Sequence, residues 1–560
     1  MYYNDLKSYP LLVNLTLIKI GLLMILLAVG GSVFSQSDIL QIETGSGFSI
    51  IRGESDSDSL LYLQGTSPSY LDWDGERFAE GPGNDIFFSV ANQNGDLLWS
   101  EVYGGGGIER ISSSPILQKD ADLWLFHGEA IDSLNIYKVR YRPTVSSFFS
   151  FIGIQNRKGR SLKVFPVESQ GPLEISTAHW MPGENIFFIA GRSEAPILHD
   201  SDTILDGPME PYGFILKMDT SFQVLSSKIL VGEVRPFDLY IGDGNIYFGA
   251  NVRDRIEFEN NEVKARVQDF DCLLLAWDKD TDQLMWFHLL GGVYDKNGVR
   301  IVPGWSVGHV LVTGDFVGVI GDGEGRSYES NGFDPDLFFW EFSSVGEPVT
   351  GLATGSPGAE NLVDAKMAGG GLDILIEFSE AAYIFNQEFS AREDGRHVGI
   401  FRVNENETAE IDKIFLGAPT TIGFDLCSWD GQSGMVGGFS EKLLDQDGQV
   451  LLEKRGTGQY NYFIWPVKKT SNTSTGKALE FKVYPNPFHC QFTIEMGLSG
   501  KFPLEYRILN LNGQVVKTGE ILRDGTTVDL SGLMSQGALL LEIKSNRVTV
   551  YSRLIFNLGN

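Results

Sequence analysis

The stretch DIFFSVANQNGDLLWSEVYGGGG, residues 85–107, contains two short apolar runs that are separated by an Asn-Gly-Asp turn and followed by four glycines. Apolar runs of this length, bounded by such turn residues, are typical of paired β-strands. The stretch DCLLLAWDKDTDQLMWFHLLGG, residues 271–292, has the same order of features. The two stretches predict strand hairpins that recur along the chain.

The recurrence has one period. Apolar strands that end in glycine are spaced by 63, 63, 58, 65, 63 and 61 residues when Glu377 is counted where a glycine is expected: Gly65, Gly128, Gly191, Gly249, Gly314, Glu377 and Gly438. A second series of strands begins at intervals of 59 to 65 residues: Asp85, Ser147, Tyr212, Asp271, Asp336, His397 and Tyr460. Two series that share one period indicate seven repeats. If Glu377 occupies the glycine position, its carboxylate is expected to be at least partly exposed.

Each repeat contains about four short strands, and such units arranged around an axis describe a β-propeller. We therefore predict an all-β chain in which residues 37–467 form a seven-bladed β-propeller. The seventh repeat reaches a polar segment before its fourth strand, whereas residues 38–44, DILQIET, form a spare strand before the first repeat. That strand is predicted to complete the last blade and close the ring, which removes an exposed edge. An open array of sheets is the alternative.

Composition excludes several classes of protein. The formal net charge of the 560 residues is -29, which argues against a nucleic-acid ligand, because such binding needs a basic surface. Only three cysteines occur, which excludes a disulfide scaffold and cysteine-rich metal modules. Seven scattered histidines offer no paired ligand spacing. We predict no metal and no cofactor.

The N-terminus has the order of a secretory signal. Lys7 and Lys19 precede the apolar run GLLMILLAV, residues 21–29, and the small and polar residues GGSVFSQ follow it up to Gln36. Residues 1–36 are predicted to be a cleaved signal peptide, with no stable transmembrane span after processing. An uncleaved anchor is the alternative, although the apolar core is shorter than the roughly 20 residues that a span needs.

The polar segment KKTSNTSTGK separates two domains, so residues 468–479 are predicted to be a linker and residues 480–560 a second domain. The second domain contains VYPNPF at 483–488, LNGQVV at 511–516, VDLSGL at 528–533 and a strand at Gly537. These features resemble the C-terminal sorting domain of the type IX secretion system. Leu539, where an aromatic residue is usual, and a C-terminus without a basic residue depart from that pattern.

The resemblance implies a small β-sandwich, handling by the type IX secretion machinery, and a secreted or outer-membrane cell-surface location. The FSQ at the end of the signal similarly resembles secreted proteins of the Bacteroidetes. Residues 38–468 resemble bacterial secreted propeller repeats, through the D-x-F-F strands and the Trp strands that end in paired glycines. Boxes of the sialidase type, S-x-D-x-G-x-T-W, are absent from the sequence.

Three arginines are candidate ligand-binding residues: Arg110, Arg235 and Arg300 lie early in their repeats, near the start of the expected innermost strand. In a propeller such positions meet at one mouth of the central channel, where guanidinium groups bind carboxylates or sulfates. The alternative is that they pair with nearby acids such as Glu109, Glu233 and Asp295. The GWSVG at 304–308 matches a nucleophile-elbow pattern, but a strand follows it where that motif needs a helix, so a hairpin turn is predicted.

The sequence therefore favours a ligand-binding or adhesion module for a surface glycan or protein. The alternative is an extracellular hydrolase or lyase that acts on polysaccharide or peptide at the channel mouth. No catalytic residues are predicted, because catalysis would need paired carboxylates or a nucleophile and a base that converge at the mouth, and a sequence cannot show convergence across blades.

Overall fold

The computed structural model describes residues 39–466 and 481–557, with gaps of at most seven residues inside each range. The described residues are strands and turns without a helix, which confirms the all-β prediction. None of the described segments is a helix long and apolar enough to cross a membrane. The predicted signal peptide, 1–36, and linker, 468–479, lie outside the described residues. The chain divides between Lys469 and Thr470 into two compact units.

The strands of the first compact unit are β1 (Leu40–Thr44), β2 (Ile50–Ser55), β3 (Leu60–Ser67), β4 (Tyr70–Trp73), β5 (Glu76–Glu80), β6 (Asp85–Asn92), β7 (Leu97–Tyr103), β8 (Ile108–Ile111), β9 (Ile116–Gln118), β10 (Leu123–Ile131), β11 (Leu134–Ile136), β12 (Val139–Tyr141), β13 (Phe148–Asn156), β14 (Leu162–Ser169), β15 (Leu173–Trp180), β16 (Ile186–Ser193), β17 (Ile197–His199), β18 (Asp202–Leu205), β19 (Tyr212–Asp219), β20 (Val224–Gly242), β21 (Asn245–Phe258), β22 (Asn261–Lys264), β23 (Asp271–Asp278), β24 (Leu284–Leu290), β25 (Lys296–Pro303), β26 (His309–Phe316), β27 (Val319–Gly321), β28 (Ser327–Glu329), β29 (Asp336–Ser343), β30 (Pro348–Thr354), β31 (Glu360–Ala368), β32 (Gly371–Ser379), β33 (Ala381–Ile384), β34 (Gln387–Ser390), β35 (Arg396–Asn404), β36 (Thr408–Ala418), β37 (Thr421–Trp429), β38 (Gln432–Phe439), β39 (Lys442–Leu444), β40 (Val450–Glu453) and β41 (Asn461–Trp465).

These strands form seven antiparallel modules of four strands, and in each the first strand pairs with the second, the second with the third and the third with the fourth. We call them modules 1 to 7: β2-β3-β6-β7, β8/β9-β10-β13-β14, β15-β16-β19-β20, β20-β21-β23-β24, β25-β26-β29-β30, β31-β32-β35-β36 and β37-β38-β41-β1. The long strand β20 serves as the fourth strand of module 3 and the first strand of module 4.

Module 7 takes its fourth strand from the N-terminus. β1 pairs antiparallel with β41, with Leu40 opposite Ile464 and Ile42 opposite Tyr462. Leu40 and Ile42 are 3% and 1% exposed, so their apolar side chains are removed from water on this strand. The extra strand that the sequence predicts before the first repeat is therefore β1, and it pairs with β41, the last strand of the seventh repeat.

Each module also carries a hairpin between its second and third strands, which the four-strand reading of the repeat did not predict. Four of these hairpins pair with the fourth strand of the preceding module: β4 with β1, β17 with β14, the end of β21 with the start of β20, and β39 with β36. An outer strand would otherwise present unpaired N–H and C=O groups, and the hairpin covers that edge.

The apolar core lies between the modules. A cluster of buried side chains spans each of the interfaces 1–2, 2–3, 3–4, 4–5, 5–6 and 6–7. A further cluster joins modules 7 and 1, where Ile42 and Tyr462 pack with Leu63 and Phe87. The packing order is therefore cyclic within the described residues.

Buried or half-buried aspartates join the first strands of neighbouring modules. Each lies directly after a β-bulge in its own strand and accepts a backbone N–H from the next first strand. The donor–acceptor distances are each 2.8 Å: Asp238 to Ile301 N, Asp364 to Leu426 N, and Asp425 to Gly53 N. Buried backbone donors need such partners, and these aspartates supply them across the interfaces.

The register corrects the glycine series. The residue before the bulge faces Gly191 in module 3 and Gly314 in module 5, but Ile376 in module 6, so Glu377 does not occupy the glycine position. A Cβ on Gly191 would lie 2.8 Å from the Phe214 ring and 2.1 Å from the carbonyl oxygen of Glu174, so the repeat glycine makes room for a facing aromatic ring.

In module 6 the small and the large residue are exchanged, because Ile376 on the second strand faces Gly399 on the third strand. The glycine position that the repeat spacing predicts for this module is therefore one residue too far along the chain. The Glu377 side chain is 16% exposed, and its Oε1 accepts the N–H of Gly423 in module 7 at 3.1 Å. Thr66 and Asn251, at the same position in modules 1 and 4, accept Ile111 N at 3.0 Å and Gly298 N at 2.8 Å. Glu377 thus accepts a backbone N–H from the next module, as the residues at the same position in modules 1 and 4 do.

The second compact unit contains two antiparallel sheets. Its strands are β42 (Phe481–Tyr484), β43 (Gln491–Met496), β44 (Leu504–Asn510), β45 (Val515–Ile521), β46 (Thr526–Asp529), β47 (Gly537–Ser545) and β48 (Val548–Asn557). The strand orders are β42-β43-β46 and β45-β44-β47-β48. Phe492 and Ile494 of one sheet and Ile508 and Leu541 of the other are buried.

Candidate functional site: a cleft at the ends of modules 2 to 4

A cleft of about 630 Å³ opens where the second strands of modules 2 and 3 end and their third strands begin. Another pocket, beside Phe188 and Lys217, has a volume of only about 10 Å³. A cavity needs roughly that volume to hold one water molecule, so only the larger one can take a ligand. The cleft is lined by Glu129, Phe148, Pro172, Leu173, Glu174, Arg192, Ser193, Glu194, Pro211, Tyr212, Glu233 and Val234.

One wall of the cleft is set by the crossing of β20 from module 3 to module 4. The register shifts between Val231 and Glu233, and Gly232 has a φ of +126°. A Cβ at Gly232 would lie 2.5 Å from the carbonyl oxygen of Arg255, so both the backbone conformation and the space require glycine here. The crossing brings Glu233 and Val234 to the cleft.

Charged residues alternate across the strands at this end of the molecule. Arg110 is opposite Glu129 in module 2, and Glu174 is opposite Arg192 in module 3. Arg192 donates from Nε to Glu174 Oε2 at 2.9 Å, whereas no ion pair joins Arg110 to Glu129 in the described chain. Opposite charges on facing strands stabilise the pairing modestly, and here they also line an opening.

Arg235 occupies the matching position in module 4 and pairs with Glu233 at 3.1 Å. Arg253 pairs with the other oxygen of Glu233 at 2.5 Å, and both guanidinium groups lie over the ring of Phe270, at 4.2 and 5.0 Å from its centroid. Burial alone would raise the pKa of Glu233, but the hydrogen bonds and charges of the two arginines hold that pKa below its usual value. Glu233 is therefore a carboxylate that is already neutralised.

Glu129 has the opposite character. Burial, and then the charge of Glu174, raise its pKa, while Arg110 and Arg192 oppose the shift. Among the described residues, no hydrogen bond or ion pair reaches its carboxylate. Within the cleft, Glu129 is the half-buried acid whose charge is left without a close partner.

The three arginines predicted to bind a ligand do not share one environment. Arg110 is exposed and Arg235 is half-exposed, and both stand beside acids that line the cleft. Arg300 lies after the bulge of β25, inside the first compact unit, where its Nε donates to Asp364 at 2.6 Å. Burial would lower its pKa, but Asp364 and Asp238 raise it. Ligand binding by Arg110, Arg235 and Arg300 remains a prediction, and the ion pair of Arg300 with Asp364 links modules 5 and 6.

The expected acidic partners are likewise only partly those found. Glu233 pairs with Arg235 as expected. Asp295 instead accepts the backbone N–H of Phe270 at 2.9 Å. Glu109 is fully buried, and neither of its oxygens has a well-formed hydrogen bond to a described residue. The lining acids Glu129 and Glu174 were not singled out, although each lies opposite an arginine in the register.

Other motifs with chemical potential fold into turns or into the core. Residues 304–308 connect β25 to β26 as a turn, in agreement with the sequence interpretation, and Val307 at its tip is fully exposed. Cys272 and Cys427 are buried, and burial raises the pKa of both thiols, which disfavours the reactive thiolate. Within the described ranges no group of three or more His, Cys, Asp or Glu side chains is arranged to hold a metal ion.

Comparison with known proteins informs the C-terminal unit. Residues 482–557 match the family model described as the secretion system C-terminal sorting domain. No curated protein matches the sequence. Solved structures that match include an ACO/RPE65 chimera, with 9% identity, 77% of this chain and 93% of that chain covered, and a TM-score of 0.30. Another is a glycoside hydrolase family 32 structure from Bifidobacterium adolescentis, with 9% identity, 94% and 95% coverage, and a TM-score of 0.23. Similarity this weak carries no argument about fold or function.

The match to the sorting domain, in contrast, is informative. The match confirms the prediction made from VYPNPF, LNGQVV and VDLSGL, and it indicates that the type IX secretion machinery handles this chain. The protein is exported by the type IX system to the cell surface or into the medium.

Proposed function

We propose that this protein is an extracellular ligand-binding module, and that the cleft at the ends of modules 2 to 4 is its binding site. The observation that carries the proposal is the cleft itself, with its 630 Å³ volume and mixed lining. Ligand sites are usually concave, of about 300–1,000 Å³, with apolar walls and a few convergent polar groups. Phe148, Pro172 and Pro211 supply the apolar part here, and Glu129 and Ser193 are among the polar groups.

The proposed scaffold is a seven-bladed β-propeller whose last blade is completed by β1, followed by a small β-sandwich in the sorting domain. Two features support the ring. The seven apolar clusters follow one another in cyclic order, and Asp425 of module 7 reaches Gly53 of module 1. Residues 1–36 are the proposed export signal. In this arrangement the cleft lies on one face of the ring, accessible to a surface glycan or protein.

A second candidate function is hydrolysis of polysaccharide or peptide, as the sequence allows. One observation favours it: Glu129, whose pKa is raised chiefly by burial, shares the cleft with Glu174, and hydrolysis of a glycosidic bond commonly uses a pair of carboxyl groups. Glu174 is already paired with Arg192 at 2.9 Å, so its carboxylate is not free to act on a substrate. Binding is therefore the first proposal.

The experiment that separates the two is a glycan and peptide array probed with the purified full-length protein, followed by a hydrolysis screen on every ligand that binds. Binding without turnover supports the binding module. Turnover that is lost in Glu129→Gln while binding remains would replace it with the hydrolase. Absence of any ligand on arrays that cover both classes would contradict both proposals.

A further inference from the structure

The charges that line the cleft do not balance. Of the twelve lining residues, four are glutamates and one is an arginine. Arg192 is paired with Glu174, and Glu233 is paired outside the lining with Arg235 and Arg253. These contacts neutralise two of the four glutamates.

The two remaining acids are Glu129 and Glu194. Glu194 is exposed, so water solvates its charge. Glu129 is half-buried at the end of β10, and its carboxylate has no close donor in the described chain. Arg110, on the facing strand, attracts it without forming an ion pair. A carboxylate that loses water without gaining a partner costs free energy, and a cationic ligand would recover that cost.

The apolar residues of the lining fit a ligand with a hydrocarbon stem. Phe148 is 38% exposed, and Pro172 and Pro211 also line the cleft. Tyr212 cannot act as a stacking platform, because it is 1% exposed and its hydroxyl donates to the carbonyl of Ala195 at 2.8 Å. Neutral sugars bind well to broad, exposed aromatic faces, and this cleft offers one ring.

We propose that the cleft binds a basic side chain of a protein ligand, lysine or arginine, and that Glu129 accepts its charged head while Phe148 and the two prolines contact its methylene stem. Long basic side chains combine an apolar stem with a polar tip, which matches a lining that combines apolar and acidic side chains. This inference rests on the proposed binding function of the same cleft and names its ligand class.

The test measures binding of capped tetra-arginine and tetra-lysine peptides to the full-length protein by calorimetry, with tetra-glutamate and a neutral chitin tetramer as comparison probes. The expected result is binding of the two basic peptides only. Glu129→Gln should weaken it by roughly tenfold, the factor that corresponds to loss of one partly desolvated charge pair. Glu329→Gln, which removes an exposed carboxylate from β28, is the matched control and should leave affinity unchanged.

The outcomes separate the inference from the function on which it rests. Equal affinity of the wild type and Glu129→Gln, or equal weakening by both variants, overturns the inference. If Glu129→Gln melts early, Glu194→Gln takes its place, with a smaller loss expected. If the protein instead binds a neutral or acidic ligand, and a bulky substitution in the cleft abolishes that binding, the basic ligand class is wrong but the binding function of the cleft stands. If no bulky substitution in the cleft weakens the binding of any ligand, the proposed binding function is wrong.

Discussion

The carboxylate of Asp425 accepts the backbone N–H of Gly53 at 2.8 Å, although the two residues are 372 positions apart. The other oxygen of Asp425 accepts the hydroxyl of Ser114 at 2.6 Å and lies 3.4 Å from Arg52. One buried side chain thereby connects module 7 with modules 1 and 2. Together with the pairing of β1 and β41, it is a direct link between the two ends of the repeat array.

We expect Asp425→Ala to destabilise the protein, because it leaves the buried N–H of Gly53 without an acceptor. An unsatisfied buried donor costs about 1–3 kcal/mol. Asp425→Asn keeps an acceptor oxygen and should lose less. Urea unfolding of the three proteins measures the difference, and an Ala variant as stable as the wild type would show that the contact contributes nothing.

Removal of β1 should have a larger effect. A chain that begins at Gly47 lacks the buried Ile39, Leu40 and Ile42, each worth about 1.5–3 kcal/mol when fully buried, and exposes the edge of β41. We expect a lower melting temperature or aggregation relative to a chain that begins at Ser37. Identical melting of the two chains is the contrary result.

The stability should depend on pH through buried acids at the module interfaces. Burial, and then the charge of Asp85, raise the pKa of Glu109 to about 7. Burial likewise raises the pKa of Glu360 to about 7 and that of Asp336 to about 6. Their pKa values in the unfolded chain are near 4, so between about pH 4.5 and pH 7 these three carboxyl groups bind more protons in the folded state than in the unfolded state.

The protein should therefore melt at a higher temperature at pH 5 than at pH 8. The carboxyl groups whose pKa is lowered, such as Glu168 and Glu233, lose their contribution only below that window. Glu109→Gln removes one buried charge, which should raise the free energy of unfolding at pH 8 by an amount on the order of 2 kcal/mol. The melting temperature of this variant should therefore depend less on pH. A profile that rises toward pH 8, or one that Glu109→Gln leaves unchanged, would contradict this assignment.

Glu377→Gly tests the corrected register. If Glu377 stood at the glycine position of the repeat, the change would leave stability equal or higher. Because Glu377 instead accepts the N–H of Gly423 and lies 3.5 Å from Arg396, we expect a loss of about 1–3 kcal/mol. Glu388→Gly, in β34, is the control for the cost of placing glycine in a strand. Glu377→Gln keeps an acceptor oxygen and should lose less stability than Glu377→Gly.

Much of the fold could be predicted from the sequence because its period is long and its strands are apolar. The spare strand at 38–44 could be identified because the seventh repeat ends one strand early. The inserted hairpins were missed, since strands such as Ile197–His199 and Ser327–Glu329 have three residues and no clear alternation. The one-residue error at Glu377 arose because an Ile facing a Gly replaces the usual Gly facing an aromatic residue, an exchange that only the pairing reveals.

The site was harder to predict than the fold. The sequence placed Arg235 and Arg300 early in their repeats, but the pairing shows that Arg235 lies before the bulge at Pro236 and Asp238 whereas Arg300 lies directly after the bulge of its own strand. That difference separates Arg235, beside the cleft, from Arg300, which pairs with Asp364 between modules 5 and 6. The cleft is lined by side chains from three modules. The repeat pattern of the sequence does not show which residues of different modules lie close together.

The affinity of the wild type, Pro211→Trp and Val307→Trp for a ligand selected on the arrays tests directly whether the cleft is the binding site. Pro211 lines the cleft, whereas Val307 is a fully exposed turn residue in module 5, so the two variants add the same bulk at different places. We expect Pro211→Trp to abolish binding and Val307→Trp to bind as the wild type does. Equal binding by all three proteins would contradict the claim that the cleft is where this exported protein holds its ligand.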